Sequence, residues 1–312
     1  MSEASRRSFL QTSLLAACGA AGTARALAQA TAAAGSILDR TGVALYTVRD
    51  MMKDPAPTLE AIAKLGYRYV EGALVPSLAP AVKAAGLRQV SAYLPTYLVT
   101  GNRQAWATGS DRDLLPESYT LDTAILEAKE RGLQYLVVTY LQKAERGGLE
   151  GYRRVAAQLD KAGEACRKVG ITLAYHAHSF EYEPISGVRP LDLLLKETSP
   201  SHLSLELDTF WASIAGQDPV AMLAGHKGRV PLVHLKDKAK GTPVSYDETK
   251  APKEAFKEVG NGVIDYAAFF KLAPLAGVQY YNVEQDHCLG STPLDSLRTS
   301  YANIQKLTAG RG

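Results

Sequence analysis

The sequence predicts an α/β protein built as a single (β/α)8 TIM barrel, and three observations carry that prediction. Strand-like and helix-like segments alternate eight times across 312 residues; alternation implies a parallel sheet, and eight units imply a closed one. Glycine stands between a helix and the following strand at Gly66, Gly86, Gly132, Gly170 and Gly277, the left-handed cap that returns the chain to the sheet. The two long loops, 95–119 and 237–262, both follow strands, so both belong to the C-terminal face, where such barrels carry their sites. An open doubly wound sheet would usually show a glycine-rich phosphate loop after its first strand, and Tyr46-Thr-Val-Arg-Asp50 has none.

Taken in order, residues 1–30 read as a Tat-type export signal. Ser5-Arg-Arg-Ser-Phe-Leu10 is a twin-arginine pair, Leu14-Leu-Ala-Ala-Cys-Gly-Ala-Ala a short apolar run, and Ala28-Gln-Ala30 a small-residue cleavage pattern. The run falls well short of the roughly 20 residues of a membrane span. This predicts a periplasmic protein handled by the Tat export machinery; Leu15-Ala-Ala-Cys18 keeps open the alternative of a lipid anchor through Cys18. Residues 31–40 are a short linker and 41–310 the barrel. Strands are expected at 42–48, 67–72, 89–94, 134–140, 171–180, 203–208, 230–236 and 280–284. Helices are expected at 57–66, 81–86, 121–131, 149–169, 190–197, from Asp218-Pro219, at 265–275 and at 293–306. At Asp218-Pro219 the acid caps and the proline takes the first helical position.

Composition narrows the function. Hydrophobic residues are 46% and charged residues 21%, as in ordinary globular proteins. A net charge of +3, with no basic cluster interleaved with aromatics, argues against a nucleic-acid partner. Cys18, Cys166 and Cys288 are too few and too scattered for a disulfide framework, leaving a single Cys166–Cys288 bridge as an open pairing.

The chemistry gathers at strand ends. In residues 171–180 the even positions Thr172, Ala174, His176 and His178 share one strand face, so two imidazoles point the same way. Later strands end in Asp208, His234 and Glu284. Apolar Leu203, Leu205 and Leu207 take the other parity from Asp208, and Glu206 and Ser204 share its face deeper in the barrel. A buried carboxylate there needs a partner. Singly, Asp208 reads equally well as a helix cap or a salt bridge to Lys236, and His234 as a structural histidine. Together, carboxylates and imidazoles from converging strands suit one divalent metal ion, Mn, Co, Zn, Fe or Mg, with histidine favouring a transition metal.

These residues carry a resemblance over about residues 40–308 to the xylose isomerase-like barrels, the sugar phosphate isomerases/epimerases. Its motifs are Gly42-Val-Ala-Leu-Tyr-Thr-Val-Arg-Asp50, Tyr69-Val-Glu71, Ala174-Tyr-His-Ala-His-Ser-Phe-Glu-Tyr182 and Leu207-Asp-Thr-Phe-Trp-Ala212. It continues through Ala215-Gly-Gln-Asp-Pro219, His234-Leu-Lys-Asp237, Val259-Gly-Asn-Gly-Val-Ile-Asp265 and Val283-Glu-Gln-Asp286. The resemblance implies a metal-dependent carbohydrate isomerase or epimerase working through an ene-diolate, with a metal held at the ends of strands five to eight. Asp208, His234 and Glu284 match the last three. Strand five departs: many relatives have Glu there, residues 171–178 have no acid, and His176 or His178 ligates instead, or Glu181 reaches in. His176 is taken as the ligand and His178 as a group near the substrate. Missing one carboxylate, the site suits a one-base reaction better than a symmetric epimerisation. Glu284 or a strand-five histidine would take the α-proton, and Lys236 would stabilise oxyanion charge or pair with an acid. Glu71, Tyr93 and Arg49 would hydrogen-bond sugar hydroxyls, and Trp211, where several epimerases have His, would wall a sugar face or sit in the core. A lyase or hydratase acting on keto sugars or 3-keto glycosides is the first alternative, and a non-enzymatic sugar-binding barrel the second. The partner is a small-molecule carbohydrate, and the homo-oligomeric state is open.

Overall fold

The structure, a computed structural model, describes residues 36–107 and 114–309. The export signal, the cleavage pattern and Cys18 lie outside the described residues. Of the segment 31–40, residues 38–40 form a 3-10 turn, and Ile37 and Leu38 pack on the core while Arg40 donates to the Val278 carbonyl at 2.9 Å.

Eight parallel strands close into a barrel: β1 (Thr41–Ala44), β2 (Tyr69–Ala73), β3 (Arg88–Tyr93), β4 (Tyr135–Val138), β5 (Thr172–His176), β6 (Leu203–Asp208), β7 (Leu232–Leu235) and β10 (Tyr280–Val283). β8 (Asp237–Lys238) and β9 (Phe256–Lys257) form a separate antiparallel pair inside the loop after β7. Leu203, Leu205 and Leu207 are fully buried, as the alternation requires.

Several expected bounds move for physical reasons. The first strand stops at Ala44, and residues 45–51 coil into 3-10 turns. The fifth strand stops at His176, and His178 begins a 3-10 turn at Ser179–Tyr182. His178 therefore does not continue the strand face of His176, although their rings lie 5.0 Å apart. An unanticipated helix, Thr209–Ile214, starts at the last residue of β6, where Asp208 caps it by accepting from the Trp211 amide at 2.8 Å. The loop 95–119 holds two short helices, Tyr97–Thr100 and Arg103–Trp106. Cys166 and Cys288 are free thiols, so the open pairing is not made.

The barrel interior has three levels. Tyr135, Val137, Ala174 and Leu232, with Tyr280 beside them, fill the N-terminal end. Above them lies a polar level: Glu71, Ser91, His176, Glu206, His234 and Asn282, all buried. Register builds it, pairing His176 with Glu206 and His234 with Asn282. A register shift between Val70 and Glu71 brings Glu71 opposite Ser91, whose hydroxyl donates to it at 2.5 Å. The mouth holds Asp208, Lys236, Glu284 and Asp286.

The loop after β7 is tied down by one carboxylate. Asp237 accepts from the amides of Lys238 (2.8 Å), Gly260 (3.0 Å), Gly262 (2.9 Å) and Ile264 (3.1 Å). A side chain at Gly262 would collide with Asp237: an added Cβ would lie 2.6 Å from its carboxyl carbon. The same loop reaches the β4 side, where Tyr140 donates to Glu248 at 2.6 Å and Arg146 pairs with Glu248 at 3.7 Å. Among the described residues, no helix is long and apolar enough to cross a membrane.

Candidate metal and substrate site

His176 and His234 stand between an inner and an outer pair of carboxylates. On the inner side, His176 Nδ1 lies 3.0 Å from Glu206 Oε2, and His234 Nε2 lies 2.6 Å from Glu71 Oε1 and 3.4 Å from Glu206 Oε2. On the outer side, His176 Nε2 lies 3.7 Å from Asp208 Oδ2, and His234 Nδ1 lies 2.9 Å from Glu284 Oε2 and 4.0 Å from Asp208 Oδ2. The rings themselves meet edge to face at 4.6 Å. Strand register again explains the meeting, since β6 and β7 set Asp208 opposite His234.

Lys236 enters the outer side from above, almost wholly buried. Its ammonium hydrogen-bonds Glu284 at 2.6 Å and Asp286 at 2.9 Å, and pairs with Asp208 at 2.9 Å. Both open readings of Asp208 hold at once: one oxygen caps the helix and the other faces Lys236. Of the two expected readings of Lys236, the structure shows the ion pairing, with three acids around the ammonium.

The charges follow from this crowding. Burial pulls Lys236 down, but Asp208, Asp286 and Glu284 outweigh it and hold it well above the ordinary lysine value. Burial raises Glu284, yet Lys236 and His234 carry it well below the usual carboxylate range. Burial lifts Asp208 to about 6 against the pull of Lys236 and His234. Burial, then the neighbouring Glu71, push Glu206 well above its ordinary value. His234 is lowered by burial but raised more by Glu206, Glu284 and Glu71, and ends well above normal. His178 falls to about 3, through burial first and Lys236 second, and is therefore neutral.

The residues fit a divalent cation. Asp208, His234 and Glu284 offer donor atoms within 4.8 Å of one another, and so do His176, Glu206 and His234. Glu206 Oε1 is buried with no hydrogen-bond partner; Asp208, Glu284 and Asp286 gather around one ammonium, and Glu71 and Glu206 around the two imidazoles. Mixed imidazole and carboxylate donors suit a transition metal. Of the expected set, Asp208, His234 and Glu284 fall in one group and His176 in the other, with His176 Nε2 3.7 Å from Asp208 Oδ2.

The other expected residues divide. Glu71 is fully buried and saturated by Ser91, His234 and Asn282; it backs a histidine and does not line the mouth as a sugar contact. Glu181 turns away from the site, accepting from Tyr175 at 2.5 Å and from the His178 amide at 2.8 Å, with burial raising it to about 8. Arg49 is exposed at the rim, donating to the carbonyls of Tyr46 and Asp286 at 2.8 and 2.9 Å. The Tyr93 hydroxyl, Trp211 Nε1 and His178 Nδ1 are buried without hydrogen-bond partners, the signature of groups awaiting a polar ligand. His178 lies 5.2 Å from Trp211 and 5.8 Å from Phe180, and Trp211 packs on Phe256 at 5.8 Å and under Lys236 at 5.4 Å. Trp211 is therefore both core and wall. Sequence reasoning gave Asp286 no role, although its spacing of two from Glu284 was the available signal.

Comparison with known proteins agrees with this fold. An inosose dehydratase of Geobacillus thermodenitrificans is 27% identical over 243 residues, covering 73% of this chain and 79% of that one. A sugar phosphate isomerase/epimerase from Parabacteroides distasonis shares the fold with a TM-score of 0.67 at 24% identity, covering 87% of this chain and 94% of that one. So does the IOLI protein, solved with a bound zinc atom, with a TM-score of 0.60 at 14% identity, covering 86% of this chain and 98% of that one. The family model described as xylose isomerase-like TIM barrel matches residues 59–284, and with eight closed parallel strands around the converging histidines and acids, the chain belongs to the xylose isomerase-like TIM barrel family.

Proposed function

We propose that this chain is a metal-dependent lyase acting on a keto sugar, keto polyol or 3-keto glycoside. It removes the proton next to the carbonyl and expels the oxygen substituent one carbon further on. The carrying observation is His178: neutral and half-buried, with its Nδ1 buried and unpartnered at the aromatic wall. It is the imidazole not engaged by a carboxylate in this site, so its nitrogen is available to a substrate proton, with burial and Lys236 weakening it as a base. Such a general-base step contributes typically about 10²–10⁴-fold. The same imidazolium returns the proton to the departing oxygen, so water or an alcohol leaves and one base suffices. The bound divalent ion would supply polarisation of the ketone and its neighbouring oxygen. Asp208, Glu284, His176 and His234 would hold that ion, while Lys236 balances the acids around it. Trp211 and Tyr93 orient the sugar with their unpartnered N–H and O–H groups. The dehydratase relative supports elimination.

Isomerisation or epimerisation through the same ene-diolate is the second reading, favoured by the isomerase/epimerase of the same fold. A periplasmic location, reached through the Tat machinery or with Cys18 as a tether, belongs to the proposal; there free or oxidised sugars are met rather than sugar phosphates.

The test is a panel of keto sugars and 3-keto glycosides incubated in D2O with metal-loaded protein, read by NMR and by enone absorbance. Loss of water or aglycone, abolished by chelator and reduced about 10²–10⁴-fold in His178→Gln at unchanged metal content, is expected. An isomer carrying solvent deuterium, with no elimination, would establish the second reading. Tight sugar binding unaffected by chelator, with no turnover, would sink both and leave a sugar-binding barrel.

A further inference from the structure

His176 and His234 each have one nitrogen on the inner acids and one on the outer acids, so a cation can sit on either side. The side decides which acids are ligands and which nitrogens stay protonated. We propose that Glu206 and Glu71 are positioning residues that hold the two histidines from behind, so that His176 Nε2 and His234 Nδ1 face the metal together with Asp208 and Glu284. This rests on the metal-dependent reading above and goes beyond it, since it fixes the tautomers and gives two buried acids a task.

Three observations carry it. The inner side ends on the apolar plug: Tyr135, Val137, Ala174 and Leu232 lie below Glu71 and Glu206, which are 0% exposed, as Asp208 is on the outer side. Glu71 has no room for a metal, because Ser91 Oγ, Asn282 Nδ2 and His234 Nε2 already bond to it at 2.5, 3.3 and 2.6 Å. The outer face opens instead toward the mouth, where Asp208 ends β6 and Glu284 follows β10, beside the unpartnered Trp211 and His178 nitrogens. A histidine that binds a metal through one nitrogen almost always donates its other N–H to a carboxylate or carbonyl, which fixes the ring and makes the ligand more basic. His176 Nδ1 on Glu206 at 3.0 Å and His234 Nε2 on Glu71 at 2.6 Å have that arrangement, twice, with acids from two different strands.

The outer site shares Asp208 Oδ2 and Glu284 Oε2 with the Lys236 ammonium. Lys236 also holds Asp286, so it can share Asp208 and Glu284 with the metal. Two features on the inner side point the other way and shape the test: Glu206 Oε1 is buried without a hydrogen-bond partner, and His176, Glu206 and His234 offer donor atoms within 4.8 Å of one another.

The experiment uses the full chain with Zn²⁺. Binding is measured by calorimetry with a competing chelator, and histidine tautomers by long-range ¹H–¹⁵N spectra of ¹⁵N-histidine-labelled protein. Wild type, Glu206→Gln, Glu71→Gln and Asp208→Asn are compared, each checked for fold by circular dichroism. Expected are Nδ1–H on His176 and Nε2–H on His234 in the zinc form. Each inner glutamine variant should weaken zinc about 10–100-fold with one equivalent still bound at saturation, and Asp208→Asn should weaken it more. The reverse tautomers, or zinc abolished in Glu206→Gln but kept in Asp208→Asn, would place the ion inside and overturn the assignment. Unchanged affinity in both inner variants would overturn it too, with metal dependence left standing. Zinc that wild type does not bind at all would overturn the assignment together with the metal-dependent reading.

Discussion

Lys236→Met tests how the mouth of the barrel is balanced electrostatically. The ammonium is 1% exposed and lies within 2.6–2.9 Å of Glu284, Asp208 and Asp286. Removing one partner of a buried ion pair costs about 3–5 kcal/mol, because the charge left behind is uncompensated. Here one removal orphans three acids, so the cost belongs at the upper end, about 5 kcal/mol for the metal-free protein at pH 7. The sign with pH follows from the two partners. Lys236 holds Glu284 below its ordinary value, so that stabilisation is present above the ordinary carboxylate pKa and fades as pH falls. Lys236 is itself raised, so its share is present below the ordinary lysine pKa and is lost only as pH climbs past it. The deficit of the variant is therefore greatest between roughly pH 5 and 10. A divalent ion can take over the balancing: at a free concentration of 1,000 times its dissociation constant it stabilises by about 4 kcal/mol, bringing the metal-bound variant close to the metal-free wild type. Urea unfolding of both proteins, with and without metal, measures each quantity. The variant should also bind metal more tightly than wild type, having lost a competing cation. A metal-free variant as stable as wild type at pH 7, or one that binds metal more weakly, would refute this account of Lys236.

Two further outcomes concern the scaffold. Glu181 stands at about 8 against an ordinary 4.5, so its contribution to stability is full below the ordinary value, drains as pH rises to about 8 and is level above it. Between pH 5 and 9 wild type should lose about 4 kcal/mol more than Glu181→Gln, at 1.36 kcal/mol per pKa unit; parallel pH profiles in thermal unfolding would contradict it. Gly163 lies in the long helix Gly148–Lys168 against the chain at His202, and an added Cβ would stand 2.6 Å from that carbonyl carbon. Alanine gains about 1 kcal/mol of helix propensity there, but the clash is with backbone and costs about 3 kcal/mol. Gly163→Ala should be about 2 kcal/mol less stable, and a raised urea midpoint would show the contact to be yielding.

The barrel was legible because its signals are local and repeat. Gly66, Gly86, Gly132, Gly170 and Gly277 all adopt positive φ, from 70° to 107°, and the Leu203–Leu205–Leu207 alternation needs only a period of two. Asp208, His234 and Glu284 were legible as strand ends. What was hidden depends on contacts across the barrel. The thread from Glu71 to His234 spans 163 positions, and no spacing rule reaches that far. His178 looked like a continuation of its strand because nothing local marks the end at His176; the stop comes from Glu181, which folds back to bond the His178 amide. Lys236 was visible as a charge beside acids, but only three converging carboxylates reveal it as their counter-ion. The helix at Thr209–Ile214 was masked because its cap is the same Asp208 that reads as a ligand.

The Asp237 clasp bears on which substrates the mouth will welcome. Glycine-bearing turns such as Gly260-Asn-Gly262 often use their exposed amides to cradle phosphate. In this protein those amides are already committed, with Gly260, Gly262 and Ile264 all turned onto the Asp237 carboxylate. The chain thus carries its own anion in this turn. A phosphorylated sugar would have to evict a carboxylate covalently attached to the strand that bears His234 and Lys236. An uncharged sugar meets no such contest.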